Sequence, residues 1–321
     1  MPRRPPSGSR GEAEAEAATL SSLEQVDDYP LYTMRYYGPY DQRVSSAEHT
    51  RRSATASSTW ACSLFAALGD RDNLLYGRNF DWEYSPALLL FTDPPDGYAS
   101  VSMVDIAYLV DADQVHTLTD LPLEDRRPLL EAPSWPFDGM NEHGLAVGMA
   151  AVPESEMPYN HDKETISSLG VIREMLDHAR DADEAVAILQ SYNINWSGGP
   201  ALHYLIADSS GRSVLVEFYK GEIVLIPGQP NDAPWHIATN HLRTTADETG
   251  SSGCRRYDKI HRWLTEAEGQ LATQGAVDLL AEVAQAGTQW SIVYGMSTGD
   301  INVAMGQEYD DVHILHLDLS Q

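Results

Sequence analysis

Cys62, Arg78 and Asp81 place a thiol, a cation and a carboxylate in one stretch of twenty residues. A free cysteine thiol ionises near ~8.5 and a free α-amino group near ~7.7–8.0. A cysteine that begins a chain therefore carries its own proton acceptor, already close to the sulfur. Arg78 beside that sulfur favours the thiolate, and Asp81 is suited to hold and orient the ammonium form of the amine. While Ala61 stays attached, the Cys62 nitrogen is an amide and cannot act as a base. These residues suggest a nucleophile that works only after the Ala61–Cys62 bond is cut, with the uncut chain a zymogen. The competing reading is an inert core cysteine, as apolar flanks usually indicate.

The elements that must position these residues form a hairpin. Cys62 to Leu68 is apolar, Gly69-Asp70-Arg71-Asp72-Asn73 is a turn, and Leu74-Leu75-Tyr76 leads into Gly77-Arg78-Asn79-Phe80-Asp81-Trp82. Two short runs around a Gly/Asp/Asn cluster read as two antiparallel strands. In a regular strand Arg78 and Asp81 point to opposite faces, so both reach Cys62 only if the strand ends or bulges between them.

Three segments precede the hairpin. Residues 1–21, Pro/Arg/Ser followed by Glu/Ala alternation, read as a disordered tail. Residues 22–61 read as a pro-segment and linker: Leu31, Tyr32, Met34, Tyr36, Tyr37 and Tyr40 give the first half something to pack with, an ordinary edge strand being the alternative. The Ser/Thr/Ala/Arg run at 45–59 reads as an accessible junction. Residues 62–321 are the expected catalytic domain. Within it, Ala99 to Val110 reads as a strand, and Met140-Asn141-Glu142-His143-Gly144 as a turn feeding a buried one. Leu169, Ile172, Met175, Leu176 and Ala179 recur at helical spacing, with Ser167 or Ser168 placed to cap. Asp181 with Glu184 opens a second helix. A meander follows at Leu202–Ala207, Ser213–Tyr219 and Glu222–Ile226, read as the centre of an antiparallel sheet. Helices from Ser251 to Leu264 and over 274–286 come next. The last strands are 290–296, 301–305 and 313–317. Helix pairs with antiparallel strands before, between and after them suit an α+β fold, a four-layer αββα sandwich.

The Cys62, Arg78, Asp81 pattern with GRNFDW around its end resembles the N-terminal-nucleophile hydrolases, and within them the choloylglycine hydrolase, penicillin V acylase and isopenicillin-N acyltransferase-like linear amide C–N hydrolases. The resemblance covers roughly residues 62–317. It implies autoproteolysis before Cys62, Arg78 against the thiol, Asp81 on the amine, and the αββα fold. Thr239-Asn240 matches the family's signature after the meander. There a side-chain N–H stabilises an oxyanion without pairing with the thiolate, worth roughly 2.7–4 kcal/mol of barrier. The Ser251 to Tyr257 stretch resembles the family's arginine–aromatic element, which aligns Arg256, or Arg255 in the alternative register, as a buttress of the site. MNEHGLAVGMAAVP resembles the strand that lines the site. Where many members carry a polar side chain this chain has Ala151, which leaves its backbone N–H for the oxyanion. The implied activity is hydrolysis of a small-molecule linear amide, with no metal or organic cofactor. The alternatives are acyl transfer to a second amine, a Cys–His enzyme using His241 without cleavage, and a non-catalytic binding protein. Cys254 reads as incidental, and Glu217 as a cross-strand charge.

Composition limits the remaining classes. Residues 1–61 hold 7 of the 21 Lys/Arg and 8 of the 48 Asp/Glu, which leaves 14 basic against 40 acidic residues in 62–321. So acidic a body argues against nucleic acid and anionic membrane surfaces as partners. Two cysteines 192 residues apart make no metal motif and no disulfide framework. No apolar run approaches the ~18 residues of a membrane span, and residues 1–18 lack the apolar core of a signal peptide. The expectation is a cytoplasmic enzyme, with a homo-oligomer left open.

Overall fold

The computed structural model describes residues 7–40, 61–153, 155–196, 199–229, 231–245 and 253–320. In chain order the elements are α1 (Ser7–Ser21), β1 (Glu24–Asp27), β2 (Leu31–Tyr36), β3 (Ser63–Ala67), β4 (Leu75–Asp81), β5 (Ala87–Thr92) and β6 (Ser100–Asp105). Three 3-10 segments between Ile106 and Ser134 lead to β7 (Pro136–Asn141) and β8 (Ala146–Ala151). Then come β9 (Thr165–Ser167), α2 (Gly170–His178), α3 (Ala182–Ser191), β10 (Asn193–Asn195), β11 (Leu202–Ala207), β12 (Ser213–Tyr219), β13 (Glu222–Pro227) and β14 (Trp235–Ala238). The chain closes with α4 (Arg255–Glu266), α5 (Thr273–Val283), β15 (Thr288–Gly295), β16 (Asp300–Met305) and β17 (His313–His316).

These strands form a nine-stranded sheet, β1-β2-β5-β6-β7-β8-β11-β12-β13, a six-stranded sheet, β14-β3-β4-β15-β16-β17, and the small pair β9-β10. Helices α2 and α3 lie on the first large sheet and α4 and α5 on the second, so the expected αββα order is present. The sheets pack through Leu64, Tyr76 and Phe80 on one side and Gly148, Leu205 and the Met149 sulfur on the other. Gly148 is a point of close approach, where a Cβ would fall 2.7 Å from the Tyr76 hydroxyl. That hydroxyl crosses between the sheets to donate to the Leu205 carbonyl at 2.9 Å. The helix starts follow the expected local chemistry: Ser167 Oγ accepts the Gly170 N–H at 2.9 Å, and Asp181 accepts that of Glu184 at 2.9 Å.

Three elements differ from the sequence reading, the tail, β5 and the meander. The tail is not disordered over 7–21, because the Glu/Ala run has high helix propensity and its end docks. Thr19 and Leu20 are buried, Leu20 among Tyr32, Met34 and Leu88. Residues 24–36, read as a pro-segment or else an edge strand, supply the two strands at one edge of the nine-stranded sheet, with β2 parallel to β5. The junction at 45–59 lies outside the described residues. The strand β5 had no sequence assignment. It is buried along its whole length, so it reads as a continuous apolar run and not as an alternating one. The meander forms one end of its sheet instead of the centre, with β13 on the edge. Among the described residues, no helix is long and apolar enough to cross a membrane.

Candidate active site

The β3–β4 register sets the site. Ser63 lies opposite Asn79 and Leu64 opposite Arg78, which puts Cys62 opposite Phe80. Cys62, Leu64, Arg78 and Phe80 therefore share the face between the two sheets, and Ser63, Asn79 and Asp81 belong to the face toward the helices. Asn79 Nδ2 accordingly donates to the Leu280 carbonyl of α5 at 2.8 Å. The required irregularity is present: β4 ends at Asp81, and its pairing with β15 shifts between Thr288 and Trp290. The Asp81 backbone N–H consequently points at the Cys62 sulfur although Arg78 reaches the same sulfur from the inter-sheet side.

Cys62 and Arg78 are both fully enclosed by neighbours, with Cys62 3% exposed. Burial pushes the thiol up, and the Arg78 charge acts against that rise. Arg78 is held from behind. Its Nη1 pairs with Asp138 Oδ2 at 2.7 Å and also donates to the Phe137 carbonyl. Tyr294 Oη donates to the other Asp138 oxygen at 2.6 Å. Asp138 and Tyr294 were not singled out from the sequence. The signal for Asp138 was a carboxylate in an otherwise apolar strand, which has to find a cation when buried. Asp81 Oδ1 accepts from the Thr288 hydroxyl. Its Oδ2 is buried and has no hydrogen-bond partner among the described residues. Burial lifts the Asp81 carboxyl to about 6, with the Thr288 hydroxyl and the Arg256 and Arg78 charges acting against the rise.

Arg256, the second residue of α4, closes the other side. It donates to the Cys62 carbonyl, to Ser63 Oγ at 2.9 Å and to Asn240 Oδ1 at 2.9 Å. Arg255 is exposed, which decides the register between them. An arginine only donates, so Asn240 must present its oxygen to Arg256 and its Nδ2 elsewhere. Nδ2 donates to the Ala151 carbonyl at 2.8 Å. Val152 N–H donates to the carbonyl of Ala201, the residue before β11, so by strand alternation the N–H and C=O of Ala151 both face the opposite side, where Asn240 sits. The structure thus joins Cys62, Arg78, Asp81, Ala151, Asn240 and Arg256 in one cluster, with Arg78 and the Asp81 N–H at the sulfur and Arg256 at the Cys62 carbonyl.

His241 does not serve Cys62. Its Nδ1 bonds Thr239 Oγ1 at 2.9 Å and its ring interacts with Cys254. Burial would raise the Cys254 thiol, but His241, the Thr239 hydroxyl, the Tyr257 N–H and Arg256 bring it to about 6. Cys254 stands at the N-cap position of the helix that carries Arg256, without a side-chain cap hydrogen bond. Glu217 pairs across strands with His203 at 3.3 Å, as expected, and also holds the chain after Asn240 through the N–H groups of Arg243 at 2.6 Å and Thr244 at 2.9 Å.

Cys62 lines a half-open cleft of about 70 Å³ together with Phe80, Trp82, Phe137, Met149 and Leu202. A larger open groove of about 870 Å³ lies at the other end of the hairpin, around Gly69, Arg212 and Trp235, and holds none of the residues above. The chemistry, not the volume, identifies the site.

Residues 136–306 match the profile of the family described as acyl-coenzyme A:6-aminopenicillanic acid acyl-transferase. No curated protein sequence matches the chain. Among solved structures, a mutant conjugated bile acid hydrolase from Clostridium perfringens aligns with TM-score 0.59 at 16% identity, over 80% of this chain and 92% of that one. Penicillin V acylase from Agrobacterium tumefaciens aligns with TM-score 0.53 at 17% identity, over 81% and 88%. The Caenorhabditis elegans ortholog of N-acylethanolamine-hydrolyzing acid amidase aligns with TM-score 0.50 at 12% identity, over 79% and 100%. At these identities the structures speak for a shared fold.

Proposed function

This chain belongs to the acyl-coenzyme A:6-aminopenicillanic acid acyl-transferase family, within the N-terminal-nucleophile hydrolases, and from that premise we propose that it cleaves linear amide C–N bonds of small molecules with Cys62 as nucleophile. In the proposal the Cys62 thiol first adds to the Ala61 carbonyl. The acyl group moves from nitrogen to sulfur, and water releases residues 1–61 with a carboxylate at Ala61 and a free amine at Cys62.

The observation that carries this reading is the unpartnered Asp81 Oδ2, buried beside Cys62 among the described residues. A buried carboxylate oxygen with no donor is unfavourable, and an ammonium at Cys62 is the donor that cleavage would supply. In turnover the freed amine takes the thiol proton and the sulfur attacks the substrate carbonyl. The second Nδ2 hydrogen of Asn240 and the Ala151 N–H receive the oxyanion. The ammonium then protonates the leaving nitrogen, the amine departs, and water resolves the thioester to a carboxylic acid. Arg256 keeps Asn240 in the required orientation, and Arg78 offsets the charge on sulfur.

Intact mass and Edman sequencing of purified, active protein test the proposal. A chain beginning at Cys62, with neither cleavage nor activity in Cys62→Ala, is the expected result. Full amidase activity in a chain still joined to Ala61 would overturn it. The matched family is described as an acyl-transferase, and this favours a second reading in which an amine resolves the thioester in place of water. Adding an acceptor amine and measuring the ratio of new amide to free acid separates the two.

A further inference from the structure

We propose that Glu217 is a positioning residue for the oxyanion site: its carboxylate fixes the loop that carries Asn240 onto the sheet that carries Ala151. This inference rests on the roles proposed above for Cys62, Asn240 and Ala151. The two oxyanion donors come from different sheets. Ala151 ends β8 of the nine-stranded sheet, and Asn240 follows β14, an edge strand of the six-stranded sheet. Both must converge on one oxygen, at about 2.7–3.1 Å from each, so the loop of Asn240 has to be held against the other sheet.

Glu217 makes that connection. It stands on β12, and Tyr204 of β11 lies opposite both Met149 of β8 and Val216 of β12. One ladder therefore joins Glu217 to Ala151. The Glu217 side chain is fully buried and accepts from the loop after Asn240. Its Oε1 takes the Arg243 N–H at 2.6 Å, and its Oε2 takes the Thr244 N–H at 2.9 Å and hydroxyl at 2.7 Å. His203 Nδ1 lies 3.3 Å from Oε1. These four donors fill the acceptor capacity of a carboxylate. Burial would raise the carboxyl, but His203 and Thr244 hold it below its ordinary value, so it is ionised and only accepts. The loop is fixed at both ends, by the pairing of β14 with β3 before Asn240 and by Glu217 after it. The Arg243 guanidinium also lies 4.7 Å from the Tyr257 ring centre, next to the Arg256 that orients Asn240. A glutamine at 217 would turn an amide N–H toward one of the loop donors and loosen that end. A displacement of about 1 Å in a catalytic site costs about 10²-fold.

Turnover of thiophenyl acetate by the processed protein tests this. Thiophenol release gives kcat and KM, and the mass of the acetyl–Cys62 adduct reports on the nucleophile. Glu217→Gln should lower kcat by about 10- to 100-fold and leave KM within about twofold of the parent. A donor already absent cannot be misplaced, so in the Asn240→Ala background the same change should cost less than about twofold more. If Glu217→Gln does not fold or stays uncut, Thr244→Val removes the hydroxyl donor alone. It should lower kcat about fivefold, again only where Asn240 is present. Equal losses in the two backgrounds, an unchanged kcat, or a rise in KM alone overturn the inference and leave the nucleophile intact. Absence of any Cys62 adduct in the parent overturns both.

Discussion

Replacing Asp81 with asparagine in the uncut chain should alter how stability depends on pH, and the size of the effect follows from the carboxyl's burial. Cys62→Ala keeps the chain uncut and serves as the parent. The rise of the Asp81 carboxyl from 3.8 to about 6 corresponds to about 3 kcal/mol. Its folded value lies above its unfolded one, so the folded chain binds the extra proton between those limits. The stability it contributes is fully present below 3.8 and is lost as pH rises through about 6. His236 works in the same window with the opposite sign. Burial lowers it from 6.5 to about 4, so its contribution is present above 6.5 and is lost as pH falls through about 4. The two roughly cancel in the parent, and only the difference between variants isolates Asp81. Urea unfolding followed by tryptophan fluorescence, at about pH 4 and about pH 7, should show the asparagine variant gaining about 2.4 kcal/mol relative to the parent across that interval, the rest of the effect lying below pH 4. A relative stability that stays constant within about 1 kcal/mol, or that moves the other way, would mean the carboxylate already has a counter-charge in the uncut chain. An ammonium at Cys62 would then not be the partner that Asp81 lacks.

Further predictions concern the surrounding groups. Asn240→Ala should lower kcat by about 10²–10³ with smaller effect on KM, measured by steady-state kinetics, as for loss of one oxyanion donor. Arg256→Lys loses the fork that spans the Cys62 carbonyl, Ser63 and Asn240; a lysine cannot replace it, so processing followed by intact mass should slow by about tenfold or more. In the Cys62→Ala background, alkylation of Cys254 should titrate with a midpoint near about 6, and His241→Ala should move that midpoint upward.

Much of the fold was legible because its signals are local. The β3–β4 hairpin is bounded by a Gly/Asp/Asn turn, and the limits of β11 and β12 come from the turn residues that flank them. The two helix starts at Ser167 and Asp181 depend on hydrogen bonds within four residues. What escaped was set by tertiary context. The strand β5 is buried on both faces, so its sequence lacks the alternation that marks a strand. The helix α1 looked like a solvated tail until its last turn docked on β2 and β5. In the site, Cys62, Arg78 and Asp81 stood out through the pattern they share with the family, and the structure places them close together. Asp138, Tyr294 and Thr288 were not, since each matters through a partner 60 to 207 residues away. His241 was only the alternative base for Cys62, and the fold turns it to Thr239 and Cys254.

The position of β2 changes what a cut before Cys62 would do. Leu31 and Tyr32 are fully buried, Met34 is 1% exposed, and the strand pairs along its length with β5. Removing it would expose the apolar face of β5 and leave an unpaired edge, an invitation to aggregation. Covalent cleavage and physical release are therefore separate events. The loss of one peptide bond leaves the sheet hydrogen bonds and the buried side chains in place, so the 61-residue fragment should stay associated. Native mass spectrometry of processed protein should give one complex of both pieces, and denaturing conditions should give two. If the fragment instead leaves under native conditions with activity retained, β1 and β2 contribute nothing essential to the folded enzyme, and the nine-stranded sheet must close its edge in another way.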